Sequence, residues 1–229
     1  MMRDESKNLT AYKYIHMKTI LSIVLPLLLM AVGVCCFLPS AQAAPTRDLK
    51  EATAGHKILV VYYSRTGSNY VSGDIVDLKV GNTAAVVEMI REKTGADVFE
   101  VQTVKPYPAD YHETTEVAKK ELQENARPEI VSGVQNIAQY DTIILAYPNW
   151  WGTVPMALRT FMDKHDLAGK SILPLCTHEG SGMGRSVRDI KAALPNSTVK
   201  KGLSIRGTRV YKKETSVPME VEAWLCENL

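Results

Sequence analysis

From His56 onward the chain alternates short apolar runs with amphipathic stretches of helical period, and this alternation narrows the possible folds more than any other feature. A strand that is apolar on both faces must be covered on both faces, and parallel strands can be joined only by long crossovers. The pattern therefore predicts an α/β fold, a parallel sheet with helices on each side in a three-layer sandwich. Strands are expected over 57–63, 97–104, 142–146, 171–175 and 199–205, and helices over 82–94, 110–125, 155–165, 185–194 and 217–227. In the first helix Ala85, Val86, Met89 and Ile90 fall on one stripe, and Gly95 ends it. Pro155 suits the start of the third, with Met156, Leu158, Phe161 and Met162 expected in the core. Right-handed crossovers reduce five such strands to a few doubly wound orders.

The residues ahead of this domain read as targeting. Met17, Lys18 and Thr19 precede an apolar run over 20–38, and Ala41, Gln42 and Ala43 give the small-residue pattern of a signal-peptidase site. The expected organisation is a signal peptide over 1–43 with an extended n-region, cleavage before Ala44, a linker over 44–55 and one domain over 56–229. The run is long enough to cross a bilayer, so an uncleaved N-terminal anchor is the alternative and would be the only membrane contact. Both readings export the domain, and the expected location is periplasmic. Without residues 1–43 the chain keeps 23 basic and 23 acidic side chains. A neutral chain lacking a basic stripe excludes nucleic acid as a partner. Cys176 is expected to end a strand at one sheet edge and Cys226 to lie late in a helix running toward the other. That is too far for a disulfide, so both are expected to be reduced core thiols.

In a doubly wound sheet the ligand lies beyond the carboxyl ends of the strands, so the loops after strands one, three and four carry the functional argument. The first holds Ser64, Arg65, Thr66 and Gly67, and a helix opens later at Gly81, Asn82 and Thr83. This reads as a phosphate-binding loop split by an insertion, because a strand ending in hydroxyls and glycine beside a helix start offers N–H groups and the positive helix end to an anion. Capping and turn formation are the other use of such residues. Arg65 either adds a charge-assisted contact to the phosphate or faces solvent. The second loop holds Tyr147, Pro148, Asn149, Trp150, Trp151 and Gly152, and two tryptophans outside a core call for a flat partner or for packing on the next helix. The third, Thr177, His178, Glu179, Gly180, Ser181, Gly182, Met183 and Gly184, has glycines that let the backbone approach a ligand. It lacks the dinucleotide fingerprint and the nucleophile elbow, and His178 has no second histidine at helical spacing to suggest a metal.

The Asn-Trp-Trp-Gly run after the third strand and the Thr-His-Glu-Gly-Ser run after the fourth resemble flavodoxin-like proteins, in their bacterial branch, over the whole of residues 56–229. The resemblance implies a strand order of 2-1-3-4-5 and FMN at the switch point, a property that flavodoxins are known for. It implies that Ser64, Thr66, Gly67, Asn82 and Thr83, with Arg65 added, surround the phosphate. Pro148, Asn149, Trp150, Trp151 and Gly152 would line the isoalloxazine, with Thr177, His178, Glu179, Gly180, Ser181 and Gly182 at its far edge. No catalytic side chain and no metal are implied. The implied activity is electron transfer in the cell envelope, toward a redox partner protein or a small-molecule electron acceptor. The alternatives are an NAD(P)H-dependent reductase of quinones or other small molecules, and a nonredox flavin-binding module. Family members commonly run from glycine straight into Asn-Thr, whereas here residues 68–80 intervene. They are expected to form a flap with Tyr70 over the flavin or its substrate side, or else a plain surface loop. Tyr107, Tyr111, His112 and Glu113 are expected to pack and cap.

Overall fold

The computed structural model describes Leu49, Thr53 and residues 55–229, so the expected signal peptide, its rival anchor and nearly all of the linker lie outside the described residues. Among the described residues no helix is long and apolar enough to cross a membrane.

The first strand, β1 (Ile58–Tyr62), is central and buried. It is followed by a hairpin of β2 (Gly67–Val71) and β3 (Asp74–Leu78), then by α1 (Asn82–Thr94) and the edge strand β4 (Asp97–Glu100). Next come α2 (Tyr111–Gln123), β5 (Thr142–Pro148), α3 (Met156–Lys164), β6 (Ser171–His178) and α4 (Ser186–Ala193). The chain closes with β7 (Thr198–Val199), β8 (Leu203–Arg206), a short α5 (Gly207–Tyr211) and α6 (Ser216–Asn228). The sheet runs β4-β1-β5-β6, with β7 and β8 both paired to β6, and every pairing is parallel. Taking β7 and β8 as one interrupted strand, this is the expected order 2-1-3-4-5.

Alternation along the strands feeds both layers. Leu59 and Val61 of β1, Ile143, Leu145 and Tyr147 of β5, and Ile172 and Cys176 of β6 pack with Leu158 and Phe161 of α3 on one face. Ile58 and Val60, Ile144 and Ala146, and Leu173 and Leu175 pack with Val86 and Ile90 of α1 and Val221 and Leu225 of α6 on the other. The first helix ends at Gly95 in the left-handed conformation, as its sequence predicts. Asp110 caps α2 by accepting from the Glu113 N–H at 2.9 Å.

Four expectations need correction. The second strand ends at Glu100, and the chain beyond it forms only a bridge between Thr103 and Ile130. The fifth strand breaks at Lys200, Lys201 and Gly202, where Met183 packs so close that a Cβ on Gly202 would lie 2.7 Å from its methyl carbon. Residues 207–211, between the expected strand over 199–205 and helix over 217–227, form the additional α5. Cys226 is exposed, since the inward positions of α6 are filled by Val221, Trp224 and Leu225; Cys176 is buried and both thiols are free.

The insertion folds as an antiparallel hairpin, closed by Ser72 and Gly73, both at positive φ. Val71 and Leu78 are buried at 4% and 5% exposure, so the hairpin has an inner face. It packs against α2 and α5.

Candidate functional site

The insertion leaves the loop after β1 closed. A Cβ on Gly81 would overlap Ser64 Oγ and the Arg65 carbonyl oxygen, and would lie 2.9 Å from the Arg65 carbonyl carbon. Glycine at 81 therefore lets the two ends of the split loop touch, and the hairpin bulges out between them. Ser64 Oγ accepts from the Ala84 N–H at 3.1 Å, and Ala85 N–H gives the first intrahelical bond to Gly81. The N–H groups of Asn82 and Thr83 precede that first bond, in the turn where a helix has donors to spare. Thr83 Oγ1 and Thr177 Oγ1 lie 2.8 Å apart, joining the start of α1 to the end of β6.

After β5, Asn149 organises the turn. Its N–H donates to Thr177 O at 2.7 Å, its Nδ2 to Gly182 O at 2.8 Å, and its Oδ1 accepts from Gly152 N–H at 2.9 Å. One side chain thus ties two of the three loops together. Trp150 is half-buried and held edge-on by Tyr63 and Tyr107, with ring centroids 5.1 and 5.0 Å away. Trp151 is 46% exposed, at φ 52°, with its indole N–H donating to Thr115 O at 2.8 Å and Lys119 Nζ 5.1 Å from its ring centroid. Neither tryptophan needs the next helix as its partner.

After β6, His178 Nδ1 accepts from the Gly180 N–H at 2.9 Å. Burial, reinforced by Arg206 and opposed by Glu179, holds its imidazole below the ordinary histidine range, so it is neutral near pH 7. Glu179 turns toward α5: Oε1 accepts from Thr208 N–H at 2.5 Å, and Oε2 from Thr208 Oγ1 at 2.6 Å and Arg206 Nε at 3.3 Å. Gly207 makes this approach possible, since a Cβ there would come within 2.5 Å of Asn82 Nδ2 and 2.8 Å of Glu179 Oε1.

These three loops meet in one cleft of about 500 Å³. Of the residues predicted for the site, Ser64, Arg65, Asn82, Thr83, Pro148, Asn149, Trp150, Trp151, Gly152, Thr177, His178, Glu179 and Ser181 line it. Thr66, Gly67, Gly180 and Gly182 do not. Thr66 is exposed and Gly67 opens β2, so the insertion carries both outward. Gly180 is exposed and Gly182 half-buried, at φ 124° and 58°, with open space where their Cβ atoms would be. Arg65 borders the cleft, yet its guanidinium donates to the carbonyls of Ser68, Pro108, Ala109 and Asp110. Its donors are spent on backbone. The lining also includes residues not predicted for it: Gly207, Thr114, Thr115, Glu116, Ala118 and Tyr111, the last expected only to pack or cap. For those on α2 the signal was the amphipathic pattern of that helix, which marks a buried face without saying that a cleft cuts into it; Gly207, on α5, carried none. Among the described residues there is no cluster of side chains that could hold a metal.

Comparison with known proteins agrees with this architecture. A family model described as flavodoxin matches residues 57–221. No curated protein matches the chain. A candidate flavoprotein of Bacteroides eggerthii is 27% identical, with a TM-score of 0.55 over 70% of this chain and 97% of its own. One of Bacteroides uniformis is 26% identical, with a TM-score of 0.58 over 75% and 98%. A Lactobacillus acidophilus flavoprotein solved in complex with FMN has the same fold at 21% identity, with a TM-score of 0.51 over 69% and 97%.

Proposed function

Because the chain belongs to the flavodoxin family, we propose that its cleft holds FMN noncovalently and that the protein transfers electrons through it. The observation that carries this reading is the convergence of the loops after β1, β5 and β6, with the start of α1, on one cleft of about 500 Å³. That is within the range for a site enclosing a ligand of this size. The residues fit the group end by end. The Ser64 hydroxyl and the first N–H groups of α1 suit a phosphate, which gains from the positive helix end. Trp150, fixed edge-on by two tyrosines, and Trp151 suit a flat ring system. Gly152, in the cleft lining with open space where a Cβ would be, lets a ring edge lie close to the backbone. The Lactobacillus acidophilus protein, solved with FMN on this fold, supports the assignment.

Bound FMN would supply the electron chemistry itself, and the protein supplies position and electrostatics. The test is a titration of the purified chain with FMN. A yellow complex of one FMN per chain is expected, and a chain that stays colourless in excess FMN refutes the reading.

Two activities are open to such a protein, and the neutral balance of residues 44–229 bears on the choice. A carrier that docks on charged redox proteins gains from a strong surface field, which this chain lacks. A reductase taking hydride from NAD(P)H and passing electrons to a small molecule needs no such field. Rapid bleaching by NADPH selects the reductase, and slow bleaching with fast exchange to a protein acceptor selects the carrier. Tight FMN binding with no competent reduction selects a nonredox module. Export to the periplasm is part of the proposal, and the mass of the protein recovered from the producing cell tests it: a chain starting at Ala44 supports cleavage, and a chain retaining residues 20–38 in the membrane fraction supports the anchor.

A further inference from the structure

The hairpin of β2 and β3 is the part of the cleft wall that a mononucleotide does not call for. It is firmly built. Val71 and Leu78 are buried beneath it, and at its root Arg65 joins Ser68 to the carbonyls of Pro108, Ala109 and Asp110, which lead into α2. Burial holds the Arg65 pKa below its ordinary value, as expected for a guanidinium enclosed by carbonyls and serving as a structural fork.

This fork fixes where Tyr70 stands. Tyr70 stacks on Tyr111 with ring centroids 6.2 Å apart and planes inclined by 27°, and both rings line the cleft together with Trp151. Tyr70 is 40% exposed and Trp151 46%, so large ring surfaces at one mouth are left in water. Clustered apolar exposure of this kind marks a binding surface. Of the charges nearest the mouth, Arg65 is committed to carbonyls, Glu179 to Thr208 and Arg206, and Lys119 to the Trp151 ring, which leaves the exposed carboxylate of Glu116 in the lining. The mouth offers ring faces and little field, which suits a flat uncharged molecule and not an electrostatically steered protein.

We propose that the hairpin is a substrate-side wall, in which Tyr70, backed by Tyr111 and joined by Trp151, binds planar uncharged aromatic molecules of the naphthoquinone type. The proposal rests on the FMN reading for what such a molecule does there, while the binding belongs to the chain's own rings.

The test uses menadione without any reductant, so that binding is read apart from turnover. Wild type, Tyr70→Ala, Tyr70→Phe and a variant joining Thr66 directly to Gly81 are loaded with oxidised FMN and dialysed to equilibrium against menadione. FMN affinity is measured on the same samples. Tyr70→Ala and the joined variant are expected to bind menadione about tenfold more weakly or worse, and Tyr70→Phe within about twofold, a tenfold loss being about 1.4 kcal/mol. FMN affinity is expected to stay within about threefold in both Tyr70 variants. Menadione binding unchanged in Tyr70→Ala overturns the proposal, as does a parallel loss of menadione and FMN. A wild type that binds FMN but not menadione overturns it and leaves the FMN reading standing. A wild type that takes up no FMN but binds menadione through Tyr70 supports the wall and refutes the FMN reading.

Discussion

Gly81→Ala separates a sterically closed phosphate loop from a merely flexible one. Gly81 sits at φ −67° and ψ 148°, a conformation open to any L residue, so alanine there brings no backbone strain. The whole cost is contact. The new Cβ would overlap Ser64 Oγ, which can rotate away, and the Arg65 carbonyl, which cannot. Moving the Arg65 carbonyl carbon from 2.9 Å out to ordinary contact at 3.4 Å requires the loop to open by at least 0.5 Å. Overpacking of this kind costs about 1–3 kcal/mol of stability. The Ser64 bond to Ala84 N–H is drawn out by the same movement, so the groups assigned to the phosphate separate. A charge-assisted bond is worth about 1.5–3 kcal/mol, so FMN affinity should fall by roughly 10- to 100-fold. Urea denaturation of the flavin-free chain reads the first quantity and FMN titration the second. Gly67→Ala is the control. Its φ of 75° costs alanine about 1–2 kcal/mol, but nothing lies nearer than Asp77 Oδ1 at 3.9 Å, so stability should fall while FMN affinity holds. Adding Ser64→Ala to Gly81→Ala should restore neither quantity, because the carbonyl overlap remains. Wild-type FMN affinity in Gly81→Ala, or equal affinity losses at 67 and 81, would refute the closed loop.

Arg65→Lys should loosen the hairpin, seen as faster hydrogen exchange over residues 67–78, because an ammonium cannot span carbonyls on two segments. FMN affinity should change by less than about threefold, and a tenfold loss would instead make Arg65 a phosphate ligand. Glu179→Gln removes the charge that accepts two bonds from Thr208 and should lower the unfolding free energy by about 1–2 kcal/mol, checked by its urea midpoint; an unchanged midpoint would mean the loop and α5 are held by other contacts. For His178 the pKa is depressed in the folded protein, so the unfolded chain binds the proton more readily below pH 6.5. Stability should therefore rise with pH up to about 6.5 and then level off, and His178→Asn should flatten that part of the profile. In a chain starting at Ala44, one thiol, Cys226, should react rapidly with a disulfide reagent; Cys176, whose pKa burial pushes up to about 12, should react only on unfolding.

What the sequence made legible follows from how far each signal reaches along the chain. The strands over β1, β5 and β6 were readable because they are apolar on both faces, and the two core layers require that of central strands. The Asn149 and Gly180 loops were readable because tryptophans and glycines are costly outside a core unless something uses them. Boundaries failed where tertiary contact overrides local pattern. Val199 and Leu203 look continuous, yet the strand is interrupted between them, opposite Pro174 of β6, which has no N–H to give the ladder, and where Met183 packs on Gly202; neither partner is a neighbour in sequence. Arg65 shows the same limit at the site itself. Its position in a phosphate loop suggested an anion, but its partners are carbonyls some 43 to 45 residues away, brought near only when α2 docks.

Gly81 and Gly67 show what position along the chain does not reveal. Both belong to the split loop, and the family resemblance implies a place at the phosphate for Gly67, beside Ser64, Arg65 and Thr66, whereas in the folded chain Gly67 opens β2 outside the cleft lining. The closed loop needs its glycine where two backbone segments press together, and that contact exists only once the hairpin has folded out of the way. Pairing of β2 with β3 is what returns residue 81 to residue 65, so the loop should open where that pairing is broken outright and stay closed where the hairpin is only loosened, as in Arg65→Lys and Gly67→Ala. Val76→Pro, which removes a ladder N–H from β3 at the pair with Asn69 and is not itself in the cleft lining, should then weaken FMN binding through the hairpin alone, by up to the few kcal/mol that a misplaced proline costs a folded element. Unaltered FMN affinity in that variant, with the hairpin shown open by hydrogen exchange, would mean that the loop closes on Gly81 without the hairpin's help.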